Sequence, residues 1–281
     1  MLKAHVLRFF YSLVHGLYCF ISVIIVGHLC FYYRFSLPLI VNKKQKMIAY
    51  NNKNRIFTIF IALLSVISVF GQKNEYYRNA DGKKGKELKT ALASIVICHN
   101  ERTYKQLWTD FKTTDRMADG KVWDMYSNAT NFTFGVDQAG NYNKEGDCYN
   151  REHSMPKSWF NDAKPMYTDL HHLVPTDGYV NNRRANYPFG ETNGEQYKSI
   201  KGFSKLGKST VADYSGTVFE PNDEYKGDFA RIYFYMITCY EDRISSWESD
   251  MLDGKEYPGF RKWALDMLLK WAKEDPVSDK E

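Results

Sequence analysis

Glu152 and His153 stand side by side in the run CYNREHSMPKSWFNDAKPMYTDLHHLVPTDGYVNNRRANYPFGE, which spans Cys148 to Glu191. The carboxylate is a hard oxygen ligand for a divalent cation. The imidazole, with an ordinary pKa of about 6.5, is the side chain best suited to take a proton near neutrality. Two more histidines, His171 and His172, follow within the same run. A segment rich in Asn and Arg then ends at Pro188: Asn181, Asn182, Arg183, Arg184 and Asn186. This stretch holds three of the chain's seven histidines, and it is where chemistry is expected.

Those side chains need elements to position them. Pro156 ends or bends the segment that carries Glu152 and His153. Met166 to Val174 (MYTDLHHLV) is short and mostly apolar, and reads as a strand. Thr176 or Asp177 can then cap a helix running until Pro188 forbids continuation, about ten residues. On that helix Asn181, Arg184 and Ala185 share one face, and Asn182 and Asn186 lie on the next. The result is strand, strand, short helix. Neighbouring residues on a regular strand point to opposite faces, so a bulge or a strand end near position 152 must re-aim Glu152 or His153.

This layout is that of a ββα-metal site, and the sequence resembles the endonuclease I family of exported bacterial nucleases. The residues that carry the resemblance are Arg151-Glu152-His153 with Pro156, then Asp169-Leu170-His171-His172-Leu173 and Pro175, then Gly178-Tyr179-Val180-Asn181, Arg184 and Asn186. Lys226-Gly227-Asp228, Ala230-Arg231 and Tyr235-Met236 match a later helix of the family, so the likeness covers most of 84–278. It implies an α+β fold, a mostly helical single domain around the ββα-metal motif with short antiparallel strands. It also implies His153 as general base and Glu152 with Asn181 as ligands of one Mg²⁺, or another hard divalent ion such as Ca²⁺ or Mn²⁺. Arg184, with Arg183 second, would grip a phosphate. The substrate would be DNA or RNA read with little sequence preference and cut to 5′-phosphate and 3′-hydroxyl ends by a monomer that needs no protein partner. His171 and His172 would orient or pack rather than bind metal. Two departures stand out. Family members usually continue into an Asn/Arg/Pro-containing tail, so a truncated C-terminus is one expectation. Only Ser154 to Tyr167 lies where some relatives carry a disulfide-rich, arginine-bearing insertion. Two other readings are a zinc-dependent hydrolase using His153, His171 and His172, and a truncated non-catalytic nucleic-acid-binding module.

The rest of the chain bounds these readings. At 281 residues and 44% hydrophobic it has ample material for a core. The net charge of +5 is misleading about partners. Residues 1–71 hold eight basic side chains (Lys3, Arg8, Arg34, Lys43, Lys44, Lys46, Lys53, Arg55) and no acidic one. Removing those eight from 38 leaves 30 basic against 33 acidic residues, so polyanion binding must come from a local patch. Ile56 to Phe70 is an apolar run preceded by Lys53 and Arg55 and followed by Gly71, the order of a signal peptide starting near Met47. Leu13 to Tyr33 is a second apolar stretch, either an anchor or part of an over-extended start at 1–46, the preferred reading. The mature domain is then 72–281, periplasmic or secreted.

No CxxC or comparable zinc spacing occurs, which argues against a structural zinc site. Cys98, Cys148 and Cys239 permit at most one disulfide, and free, buried roles are expected. Helices are expected over Lys84–Cys98, Thr103–Arg116, Phe229–Tyr240 with Asp228 as N-cap, and Tyr257–Lys273. Short strands are expected at Val122–Met125 and Asn131–Val136.

Overall fold

The computed structural model describes residues 75–278, 280 and 281, so the two N-terminal apolar runs lie outside the described residues. The chain divides between Gly82 and Lys83. Of the first unit only residues 75–82 are described, with a 3₁₀ turn at Arg78–Ala80. The second unit is α+β, as expected. Its helices are α1 (Gly85–Val96), α2 (Leu107–Thr114), α3 (Gly178–Arg184), α4 (Lys226–Cys239) and α5 (Lys262–Glu274). Its strands are β1 (Tyr149–His153), β2 (Leu173–Asp177), β3 (Tyr197–Lys198), β4 (Lys205–Lys208) and β5 (Thr217–Glu220). Among the described residues, no helix is long and apolar enough to cross a membrane.

The core is built on α4. Phe229, Ala230, Tyr233, Met236 and Ile237 are buried there, and α5 lays Trp263, Ala264, Met267, Leu268 and Trp271 into the same cluster. Each large side chain so removed from water contributes about 1.5–3 kcal/mol as an upper estimate. Phe229, Tyr233, Trp263 and Trp271 are core, and Phe234 and Tyr235 are half-buried against it.

Strands β1 and β2 form an antiparallel pair in one-to-one register, from Tyr149 opposite Asp177 to His153 opposite Leu173. A second sheet, β3-β4-β5, lies in a stretch where no strand is expected from the sequence. Its segments are two to four residues long, too short for alternation to register.

Several boundaries differ from expectation. Val122–Met125 is a loop apart from a lone bridge between Arg116 and Val122, with Asp124 accepting from the N–H groups of Tyr126 (2.8 Å) and Ser127 (3.2 Å); Asn131–Val136 is a loop in which Asp137 accepts from the Thr133 N–H at 2.7 Å. The strand expected from Met166 begins only at Leu173. Met166–Thr168 is a 3₁₀ turn, held by Asp169, which accepts from the hydroxyls of Tyr235 and Tyr240. α4 starts at Lys226, so Asp228 lies in its first turn and is not its cap. α5 starts at Lys262, after Pro258 and Gly259, the latter at φ +96 where a side chain would be strained. α2 is shorter than expected, but the turn before it closes reciprocally: Thr103 N–H donates to Gln106 Oε1 and Gln106 N–H to Thr103 Oγ1. All three cysteines among the described residues are free. Cys148 and Cys239 are buried as expected, but Cys98 is exposed.

Candidate active site

α3 exists because both its ends are fixed. Asp177, the last residue of β2, caps it by accepting from Val180 N–H at 2.8 Å through Oδ1, while Oδ2 accepts from Gly146 N–H at 2.7 Å. Gly178 opens the helix against Tyr142 and Asn150, where a Cβ would come within 2.8 Å of the tyrosine ring. Ala185 leaves the helix at φ +51, so the helix ends at Arg184, seven residues rather than about ten. Its short axis brings Arg184 against β1.

Arg184 is 1% exposed and faces inward. Its Nη1 donates to Glu152 Oε1 at 2.6 Å and to the His153 carbonyl at 3.0 Å. Nη2 donates to the Ser154 carbonyl at 2.7 Å and to the Tyr233 hydroxyl at 3.3 Å. Both of its terminal nitrogens are thus spent on the protein, and Nε is buried without a partner, which leaves little of the group for the phosphate it was expected to grip. Tyr126 donates its hydroxyl to the same Glu152 Oε1 at 2.9 Å. Both bonds fall on one oxygen, so Oε2 is the atom that can face an ion. Burial pushes the Glu152 carboxyl above its ordinary pKa, while Arg184 and the Tyr126 hydroxyl pull against that shift.

His153 ends β1, one residue on. The register through it is regular, so no bulge falls within the ladder, and His153 is its last residue. Its ring lies between aromatic neighbours, with centroids 6.0 Å from Tyr104 and 5.0 Å from Tyr167. Nε2 is 3.0 Å from the Tyr167 carbonyl oxygen. A carbonyl only accepts, so Nε2 carries the hydrogen and Nδ1 keeps the lone pair. Burial, reinforced by His172, lowers its pKa to about 3, and the imidazole is neutral at pH 7.

The remaining expected residues divide. Asn181 is half-buried on α3, and Arg183 is exposed, its guanidinium 4.9 Å from the Tyr179 ring centroid and bonded to that hydroxyl at 2.6 Å. His172 is fully buried, donates Nε2–H to the Met166 carbonyl at 2.7 Å, and packs 5.6 Å from the His153 ring. His171 is exposed and turns to Asp169, with Nδ1 3.1 Å from Oδ1. His153 and His172 thus aim their Nε2 atoms at different backbone carbonyls while His171 faces away, and the three do not converge on one zinc ion. Sequence reasoning missed Tyr126, Tyr167, Tyr233 and Asp124, which hold Glu152, His153 and Arg184 in place. They sit among 21 tyrosines and 33 acidic residues, and nothing local marks them.

Residues 84–281 match the family model described as Endonuclease I. An extracellular ribonuclease of Bacillus amyloliquefaciens is 36% identical over 224 residues, 77% of this chain and 71% of that protein. A second extracellular ribonuclease, from Bacillus subtilis (strain 168), is 33% identical over 230 residues, covering 79% and 73%. A periplasmic deoxyribonuclease of Aeromonas hydrophila is 31% identical over 100 residues, 34% of this chain and 39% of that protein. The α+β fold and these matches define a nuclease. The chain belongs to the Endonuclease I family.

Proposed function

We propose that the chain is an exported, divalent-metal-dependent endonuclease that hydrolyses RNA and DNA backbones with little preference for base sequence. The observation that carries the reading is the His153 tautomer, fixed by the Tyr167 carbonyl so that a neutral ring offers Nδ1 as proton acceptor. Glu152 and Asn181 fit a hard ion: a carboxylate with one oxygen tied back by Tyr126 and Arg184, and an amide oxygen from the facing helix. Two such ligands with waters are what Mg²⁺ usually accepts. When bound there, the ion would supply positive charge for the phosphate and for the departing 3′ oxygen.

The protein's own groups do the rest. His153 Nδ1 takes the proton of the attacking water. Arg184 holds the Glu152 carboxylate and the β1 carbonyls rigid. Arg183, exposed on the same helix, serves the phosphate. Cleavage leaves 5′-phosphate and 3′-hydroxyl ends. Because water and not the 2′-hydroxyl is the nucleophile, ribose and deoxyribose chains serve alike, in line with relatives named both as ribonucleases and as a deoxyribonuclease. Their extracellular and periplasmic names support export, for which Ile56–Phe70 is the signal. The enzyme acts as a monomer.

The purified enzyme is expected to cut RNA and supercoiled DNA with Mg²⁺, to stop in EDTA, and to leave ends that a ligase joins without prior treatment. Cleavage that persists in EDTA, or 2′,3′-cyclic phosphate ends on RNA, would overturn the proposal.

A further inference from the structure

On the far side of the turn that supplies the Tyr167 carbonyl, three side chains from distant parts of the sequence meet. His99 follows α1, Asp169 precedes β2, and Cys239 ends α4. One ring nitrogen, one carboxylate oxygen and the sulfur all lie within 4.8 Å of one another. His99 Nε2 is 3.8 Å from Asp169 Oδ2; the other ring nitrogen, Nδ1, is 3.3 Å from the Val96 carbonyl oxygen and 4.0 Å from Cys239 Sγ, so the ring would hold an ion through Nε2 with Cys239 closing toward it. Donor atoms around a tetrahedral zinc ion stand roughly 3.3–3.8 Å apart when the bonds are about 2.0–2.3 Å, so on the order of 1 Å of side-chain closure suffices. We propose that His99, Asp169 and Cys239 form a second metal site, separate from the one at Glu152, that takes a thiophilic borderline cation such as Zn²⁺.

The donor set decides the kind of ion. A thiolate, an imidazole and a carboxylate suit zinc, whereas Mg²⁺ and Ca²⁺ take oxygen. Asp169 is held in place as a ligand: the His171 ring and backbone N–H engage its Oδ1, and the Tyr235 and Tyr240 hydroxyls donate to Oδ2, the oxygen that lies 3.8 Å from His99 Nε2 and whose hydrogen bonds an ion would displace in part. The Tyr240 hydroxyl oxygen, 2.6 Å from Oδ2 and 3.3 Å from His99 Nε2, lies between the two ligands. The fourth position falls to that oxygen or to water. Cys239 is buried, but His99 keeps 17% of its side chain in solvent and gives the ion a way in. As the metal–sulfur bond forms, the thiol proton passes to solvent, so one proton is released per ion and binding strengthens as pH rises. The long separations explain why no zinc spacing is visible in the sequence. An ion here joins the α1–α2 connection, the turn before β2 and α4, and it stabilises the fold by mass action.

The test is a titration of the metal-stripped full chain with Co²⁺, in millimolar Mg²⁺ to occupy hard-ion positions. One equivalent of Co²⁺ should produce a near-ultraviolet thiolate-to-cobalt band with visible bands of tetrahedral strength, and one equivalent of Zn²⁺ should bleach them. Cys239→Ser should abolish the ultraviolet band, and His99→Gln should weaken binding at least tenfold. Cys98→Ser, Cys148→Ser and Glu152→Gln should leave the spectrum unchanged. Absence of the band in the wild-type protein overturns the site, whether or not Cys239→Ser folds. A band that survives Cys239→Ser, or disappears with Cys98→Ser or Glu152→Gln, overturns it as well.

Discussion

Arg184 stands four residues after Val180 on α3, and both are buried. The four-residue spacing puts the guanidinium on the same face of the helix as the valine, and that face is the one turned into the protein. Glu152, His153 and Asn181 stand out in the sequence because their types and order match a motif. The direction in which Arg184 points does not, since residue type says nothing about which face of α3 meets β1. The pair has an energetic consequence. Removing one partner of a buried ion pair leaves the other charge unsolvated, which costs about 3–5 kcal/mol. Arg184→Met should therefore lower unfolding free energy by about 3 kcal/mol or more at pH 8, and by less at pH 5, where the orphaned Glu152 can take a proton. Adding Glu152→Gln should recover part of the loss. Urea unfolding of the two single variants and the double variant measures this, and additive effects would mean that the pair is not coupled.

At the level of elements, Asp177 holds the site together. Its two oxygens fix the first turn of α3 and the Gly146 loop, and its own N–H donates to Asp124 Oδ2 at 3.1 Å. Losing an N-cap of this kind costs about 0.5–2 kcal/mol. Because α3 carries Asn181, Asp177→Ala should also weaken Mg²⁺ activation, raising the Mg²⁺ concentration for half-maximal cleavage severalfold while the fold survives. A loss of stability with unchanged Mg²⁺ dependence would separate α3 from metal binding. Helix existence was readable from apolar periodicity in α1, α2, α4 and α5. The boundaries were not, because they rest on side-chain partners: Asp169 under the Tyr235 and Tyr240 hydroxyls delays β2, and turns at Asp124 and Asp137 stand where two strands were expected.

For the whole molecule, the buried neutral histidine links the site to stability. His153 has a pKa of about 3 in the folded protein against about 6.5 unfolded. The unfolded chain therefore takes up its proton first as pH falls. The contribution of His153 is whole above pH 6.5 and is lost as pH drops toward 3, with a limiting slope of about 1.4 kcal/mol per pH unit. Asp124, raised to about 7 by burial, works in the opposite sense between its unfolded value and pH 7, so the slope for the intact protein mixes both. The difference between wild type and His153→Asn isolates the histidine. That difference should shift in favour of the variant as pH falls from 6.5, and a flat difference would show that His153 is not held neutral. Catalysis gives the most direct check. With saturating Mg²⁺ at pH 7.5, RNA cleavage by His153→Ala should be slower than wild type by about 10²–10⁴-fold, the usual contribution of a positioned general base, while its Mg²⁺ requirement stays the same. Cleavage at the wild-type rate would contradict the assignment of His153 as the base.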